Sequence, residues 1–64
     1  MPWNPETLRR LREHRGLTQH QLAEKAGAHR VTIAKLETGA LRPSVDMLEA
    51  LAKALRVKVT DLLK

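Results

Sequence analysis

Arg30, Val31 and Lys35 are the residues whose types and spacing most directly suggest chemistry. At about 100° per residue they fall on one face of a helix, while Ile33 and Leu36 fall on the opposite face. Arg and Lys side chains donate hydrogen bonds to O6 and N7 of guanine, and a valine methyl group can contact the methyl group of thymine. We therefore expect this face to read base edges in the major groove of double-stranded DNA.

The alternative for the same face is an ordinary solvated helix surface. Such a surface usually carries charges of both signs, and an exposed Val31 would be out of place on it. Ala34 lies among the long side chains and would allow the helix to approach the bases closely. The mixture of cations with small or apolar groups favours DNA contact over simple solvation.

The whole chain is short and basic. It has 64 residues, with 12 Lys and Arg against 7 Asp and Glu, so its formal net charge is +5. This length allows one hydrophobic core, and we expect residues 1–64 to form a single domain. The charge favours a polyanionic partner, but many small domains carry as much charge for solubility, so charge alone does not identify one.

Several classes of function find no support in the residues. The chain has no Cys, and His14, His20 and His29 do not have the spacing of a metal site. It has no catalytic triad, phosphate-binding loop or paired carboxylates, so neither an enzyme nor a cofactor is expected. No apolar run resembles a signal peptide or a membrane span, so we expect a cytoplasmic protein with no membrane partner.

Helix-terminus signals predict the first two helices. The first is expected over 5–14, where Asn4 can cap the helix and a proline suits the first turn. The second is expected over 19–26, because Thr18 and Gln21 form a T-x-x-Q capping box.

A sharp turn separates the second helix from the third. Gly27 ends the second helix, since glycine adopts positive φ at little cost, and the third helix is expected from Arg30 to just before Gly39. Two short helices joined in this way form a helix-turn-helix, which we place at 19–38.

The remainder of the chain predicts two further helices. Ser44 can cap a fourth helix over 45–55, in which leucines and alanines recur at helical spacing. After Arg56, we expect a turn into a short fifth helix, with Val57 in the core. The fold class is therefore expected to be all-α with five helices.

With these features, the chain resembles the lambda-repressor-like domains of the Cro type, also called the XRE family. The likeness runs from Leu8 to Leu63 and implies a five-helix DNA-binding domain. It is carried by Leu8, Leu11-Arg12, Gly16-Leu17-Thr18-Gln19, Leu22-Ala23, Gly27, Ile33, Leu36-Glu37, Gly39, Arg42-Pro43-Ser44, Leu51-Ala52, Ala54-Leu55 and Val57. A long series of spaced features is a stronger signal than a single short motif.

The resemblance implies a role for each matching position. Arg30, Val31 and Lys35 match the base-reading positions of the recognition helix. Arg12 and Glu37 match a structural salt bridge between the first and third helices. The positions that match contacts to the DNA backbone are Gln19, His29, Thr38 and Arg42.

Two positions depart from the pattern of the family. The residue before the recognition helix is often Ser or Thr, whereas here it is His29, which is a poor capping residue. The fourth helix commonly ends at Gly, whereas this chain has Arg56.

Other exposed residues have simpler explanations. The cations of the first helix, Arg9, Arg10 and Arg15, are better explained by solubility and helix-end electrostatics than by DNA contact. Trp3, the one aromatic residue, could cover the edge of the core or lie at a subunit contact.

Two functions are compatible with these features. The first is a sequence-specific transcriptional regulator, expected to be a repressor, that places residues 30–38 in the major groove. Because one short helix reads only a few base pairs, a homodimer is expected, and the resemblance implies 57–63 as its contact region. The second is the antitoxin component of a toxin–antitoxin pair, which binds a protein partner and autoregulates its operon.

Overall fold

The computed structural model describes residues 3–63, and these form an all-helical structure. Four α-helices follow one another along the chain, and a short 3-10 helix ends the described part. Their bounds are α1 Pro5–His14, α2 Gln19–Ala26, α3 Arg30–Thr38 and α4 Val45–Leu55, followed by the 3-10 helix Val59–Leu63. None of the helices in this described part is long and apolar enough to span a membrane.

A short fifth helix was expected after α4, but the last described element is a 3-10 helix, so the described part has four α-helices and not five. The N–H of Asp61 donates to the carbonyl oxygen of Lys58 (2.9 Å), three residues earlier, which is the 3-10 pattern. The Asp61 carboxylate also accepts a hydrogen bond from the N–H of Lys58 (3.0 Å). A segment of five residues is too short for an α-helix to be favoured over this tighter turn.

Both ends of α2 are capped, and the cap at its C-terminal end forms the turn into α3. The N–H of Gln21 donates to Thr18 Oγ1 (3.1 Å), and the N–H of Thr18 donates to Gln21 Oε1 (2.9 Å). At the other end, Gly27 has φ 70°, in the left-handed region that glycine adopts without steric cost. This turn therefore fixes the direction in which α3 leaves α2.

The core is formed by one face of every helix. The third helix contributes Ile33 and Leu36, which are fully buried, and α2 packs between α3 and α4 with the small Ala23 buried. The buried residues of the core are Leu8, Leu22, Ala23, Ile33, Leu36, Leu48, Leu51, Ala52, Leu55 and Leu62. This packing holds α3 by its inner face and leaves the outer face in solvent.

The end of α4 has an unusual backbone conformation. Arg56 has φ 57° and ψ 44°, and among the described residues it is the one non-glycine residue with positive φ. This conformation lets the N–H of Val57 donate to the carbonyl oxygen of Ala52 (2.9 Å), which closes the helix end. The left-handed conformation costs a non-glycine residue about 1–2 kcal/mol.

Replacing Arg56 by glycine is therefore expected to stabilise the fold. Glycine removes the steric cost at positive φ but loses more backbone entropy on folding, so we expect Arg56→Gly to raise the free energy of unfolding by about 0.5–1 kcal/mol. Urea denaturation followed by circular dichroism measures this difference. Lys53→Gly, the same type of change inside α4, should lower the free energy of unfolding by about 1 kcal/mol. A destabilised Arg56→Gly variant would contradict this account of the helix end.

Candidate nucleic-acid interface

The outer face of α3 carries the three residues that the sequence assigns to base reading. Arg30 and Lys35 are exposed, and the Val31 side chain is 53 % exposed. α3 has nine residues and is about 13 Å long, so these side chains occupy one short solvent-facing surface. We call this surface, made of Arg30, Val31 and Lys35, the reading face.

The residue before α3 does not cap the helix with its side chain. His29 is the N-cap residue, with φ −97° and ψ 149°, and its side chain makes no capping hydrogen bond. The N–H of Ile33 donates to the His29 carbonyl oxygen (3.2 Å), which is the first backbone bond of the helix. The exposed imidazole is therefore not engaged with the helix end that it precedes.

A largely buried ion pair connects α1 to α3. Arg12 Nε lies 2.6 Å from Glu37 Oε2, and Arg12 Nη2 donates to Glu37 Oε1 (3.2 Å). The Glu37 side chain is 3 % exposed and that of Arg12 is 12 % exposed. Arg12 Nη1 also donates to the carbonyl oxygen of Leu17 (2.8 Å), in the loop that precedes α2. The guanidinium therefore links α1, the loop and α3.

The ion pair shifts the protonation equilibrium of its cation further towards the charged form. The hydrogen bond to Glu37 raises the pKa of Arg12, the charges of Glu37 and Glu13 act in the same direction, and burial opposes them. A raised pKa means that the contribution of Arg12 to stability is present below the ordinary arginine pKa and is lost only above it. Arg12 is therefore positively charged at every pH used for binding assays.

Gln19 belongs to the same hydrogen-bond network. The sequence did not predict this contact. Gln19 Nε2 donates to Glu37 Oε1 (3.1 Å), the oxygen that also accepts from Arg12 Nη2. This bond fixes the orientation of the amide at the first residue of α2, where the backbone N–H groups of the first turn point out of the helix. In the sequence, the one indication of this bond was that Gln19 and Glu37 each matched a position with a different role in the same family.

Thr38 and Arg42, the backbone-contact positions at and after the C-terminal end of α3, lie in different surroundings from Gln19. The Thr38 hydroxyl donates to the carbonyl oxygen of Lys35 (3.2 Å), so it is engaged within its own helix. Arg42 is exposed in the loop after α3 and lines a cleft with Trp3, Pro5 and Gly39. The structure thus places Gln19, Thr38 and Arg42 towards the C-terminal end of α3, where Glu37 lies, and His29 at its N-terminal end.

Trp3 covers the edge of the core. Its ring is half-buried against the core cluster, and the buried indole N–H has no hydrogen-bond acceptor. The structure therefore places Trp3 at the edge of the core, which is one of the two positions that the sequence left open.

Comparisons with known proteins agree with the geometry. A family model described as helix-turn-helix matches residues 8–62. The immunity repressor protein of Bacillus phage phi105 is 42 % identical over 55 residues, which cover 86 % of this chain and 38 % of that protein. An uncharacterised HTH-type transcriptional regulator of Methanothermobacter thermautotrophicus is 48 % identical over 48 residues, covering 70 % of each chain. This chain therefore spans less than half of the phage repressor but most of the archaeal protein.

A solved structure also superimposes closely on this fold. The crystal structure of the P22 c2 repressor with a synthetic operator has a TM-score of 0.90 and 30 % sequence identity to this chain. The match covers 100 % of this chain and 97 % of that one. Because the match covers the whole of this chain at 30 % identity, the similarity includes the sequence as well as the arrangement of the helices.

Removing the anionic partner of the buried ion pair is expected to destabilise the fold. Glu37→Gln keeps the shape but leaves the Arg12 charge unpaired, so the free energy of unfolding should fall by about 2–3 kcal/mol. The double variant Arg12→Met/Glu37→Met should lose less stability than the sum of the losses in Arg12→Met and Glu37→Met. Urea denaturation of these three variants and the wild type gives the coupling energy.

Glu24→Gln provides the matched surface control. Glu24 forms an exposed pair with His20, at 3.7 Å, and its loss should change stability by less than about 0.5 kcal/mol. If Glu37→Gln were as mild as this control, the ion pair would not be the link between α1 and α3 that its geometry indicates.

Proposed function

The chain belongs to the lambda-repressor-like (XRE) family of helix-turn-helix proteins, and from that premise we propose that it is a sequence-specific, double-stranded DNA-binding transcriptional repressor. The helix-turn-helix proper is 19–38, within a single domain of 1–64, and α3 is the recognition helix. The observation that carries this proposal is the reading face, which is exposed while the opposite side of α3 is fully buried.

The reading face supplies the contacts to bases. Arg30 donates to guanine O6 and N7 from the first turn of α3, and Lys35 does so from the second half of the helix. Val31 lies between them around the helix and contacts a thymine methyl group. The proposal therefore requires at least one G·C pair in each half-site.

Contacts to the DNA backbone set the position of α3 in the groove. We assign them to Gln19, His29, Thr38 and Arg42, which lie at the two ends of α3 and at the adjacent start of α2. Gln19 retains one amide hydrogen and its carbonyl oxygen beyond the bond to Glu37, and the helix N-terminus adds backbone donors for a phosphate. These contacts position the protein without distinguishing sequences.

The relatives support regulation of transcription over the antitoxin alternative. The phi105 relative is named an immunity repressor, and the P22 c2 repressor is bound to an operator in its solved structure. Regulators of this kind act by binding DNA and not by catalysis. None of the relatives described above is named as a toxin-neutralising protein, so the antitoxin function has no support from them.

The proposed regulator is a homodimer that binds an inverted repeat. Two copies related by two-fold symmetry place their recognition helices about 34 Å apart, one turn of the DNA helix. We assign the contact to 57–63, where the apolar side chains Val57, Val59 and Leu63 are only partly buried by their own chain.

Substitutions at base-reading and backbone-contact positions should have different effects. Arg30→Ala is expected to weaken binding to the preferred duplex by about 1–3 kcal/mol while leaving weaker sequences almost unchanged, since a base contact is lost. Gln19→Ala and Arg42→Ala should weaken binding to all sequences similarly, and Arg42→Ala should also flatten the dependence on salt. Fluorescence anisotropy with preferred and scrambled duplexes at several salt concentrations measures both effects.

Arg10→Ala is the matched control for charge. It removes one exposed cation from α1, outside the proposed interface, and should preserve the ratio of the two affinities. If Arg30→Ala reduced affinity equally for both duplexes, the base-reading role of Arg30 would be wrong.

A charge placed in the C-terminal contact region should dissociate the dimer. Val59→Arg is expected to raise the dimer dissociation constant at least about tenfold, because the cation would be buried in an apolar contact. Sedimentation equilibrium measures the change, with circular dichroism to show that the variant is folded. Val45→Arg, at a valine that is 71 % exposed outside this region, should leave the dimer intact. A wild-type protein that stays monomeric both free and on DNA would overturn this assignment.

A further inference from the structure

A second concave surface lies where three α-helices end. The C-terminal ends of α1, α2 and α4 meet around a cleft of about 250 Å³ that contains none of the residues assigned to DNA contact. Its apolar lining is Leu17, Ala54 and Leu55, and its polar lining is Arg15, Lys25 and Arg56. We call this surface the three-cation cleft.

The cations of the cleft are not neutralised by carboxylates. The salt bridges of residues 3–63 join other residues, and no Asp or Glu lines the cleft. Arg15 Nη2 donates a long hydrogen bond to the carbonyl oxygen of Arg56 (3.4 Å), which leaves the other N–H groups of the guanidinium available. Three like charges around one depression repel one another unless an anion joins them.

Helix-end electrostatics accounts for a cation at each of these helix ends, but not for the backbone conformation of Arg56. Arg15 and Lys25 each lie at the C-terminal end of a helix, where the partial negative charge of the carbonyl groups favours a cation. Other basic residues also lie in the last turns of two of these helices: Arg12 and His14 in α1, and Lys53 in α4. Arg56 follows α4 at positive φ, where glycine would be less strained.

The conformation of Arg56 therefore points to a role for its side chain. A backbone outlier that persists despite a less strained alternative is a reason to look for function at that position. Arg56 lines the three-cation cleft, so a role in that cleft accounts for an arginine at this position. In the sequence, Arg56 departs from the pattern of the family, and the pattern assigns it no role.

We propose that the three-cation cleft binds a small amphiphilic anion, with a carboxylate or phosphate head group on a short apolar body. The head group would accept hydrogen bonds from Arg15, Lys25 and Arg56, and guanidinium groups match both kinds of anion in geometry. The apolar body would lie on Leu17 and Ala54, which are partly exposed, above the fully buried Leu55. The volume lies just below the usual range for ligand pockets, about 300–1,000 Å³, which restricts the ligand to a small molecule.

Titration with defined probes tests this proposal without DNA. Hexanoate and hexyl phosphate carry the expected combination of groups, whereas acetate lacks the apolar body and hexan-1-ol lacks the charge. At constant ionic strength, ¹H–¹⁵N spectra should show saturable shifts at Leu17, Lys25 and Ala54–Arg56 with at least one of the two amphiphilic anions. We expect that anion to bind at least about threefold more tightly than acetate or hexan-1-ol.

Two variants connect binding to the cations. Arg56→Gly is expected to fold well, and both it and Lys25→Gln should weaken binding of the amphiphilic anion about three- to tenfold. Arg10→Gln removes an equal charge outside the cleft and should leave the affinity unchanged. The proposal is overturned if neither amphiphilic anion shifts these residues, if acetate or hexan-1-ol binds equally well, or if the cleft variants bind as tightly as the control. These outcomes are independent of whether the protein binds DNA.

Discussion

The Arg12–Glu37 ion pair is the interaction on which the rest of the interface depends. It joins α1 to α3 through two hydrogen bonds and extends to the loop before α2 through the carbonyl oxygen of Leu17. Because Glu37 also accepts from Gln19, one carboxylate sets the relation between the helices on both sides of the turn. Removing two charges from water is costly, so the value of this network lies mainly in fixing geometry, and less in net stability.

Such bracing is needed because the recognition helix is too short to be stable alone. Nine residues form only about two and a half turns, and isolated helices of this length are marginal in water. α3 is held by burial of Ile33 and Leu36, by the turn at Gly27 and by Glu37. The chemistry of the outer face can then vary without loss of the fold, since none of these restraints uses the reading face.

The sequence predicted those parts of the structure that depend on local signals. The capping box at Thr18 and the positive φ of Gly27 each involve residues close together in the chain, and the bounds of α2 follow from them. Helical periodicity likewise separated Ile33 and Leu36 from the reading face. The pairing of Arg12 with Glu37 came from resemblance to a family, because nothing local joins residues 25 positions apart.

The features that the sequence did not predict depend on tertiary contacts or on small energy differences. The bond from Gln19 to Glu37 requires two helices to be in place, and the bond from Arg15 to Arg56 joins residues 41 positions apart. The 3-10 form of the last helix reflects a small preference over one α-helical turn, which local pattern does not resolve. The positive φ at Arg56 is hidden because the residue type normally avoids it.

The central claim is that the outward side of α3 distinguishes one DNA sequence from another, and selection of bound duplexes from a random pool tests it most directly. Carried out at a stated salt concentration with the intact protein, the selection should enrich an inverted repeat with at least one G·C pair in each half and half-site centres about one helical turn apart. Recovery of a pool with no preferred sequence, although the protein binds DNA, would show that these side chains contact the backbone without reading bases, and would contradict the account.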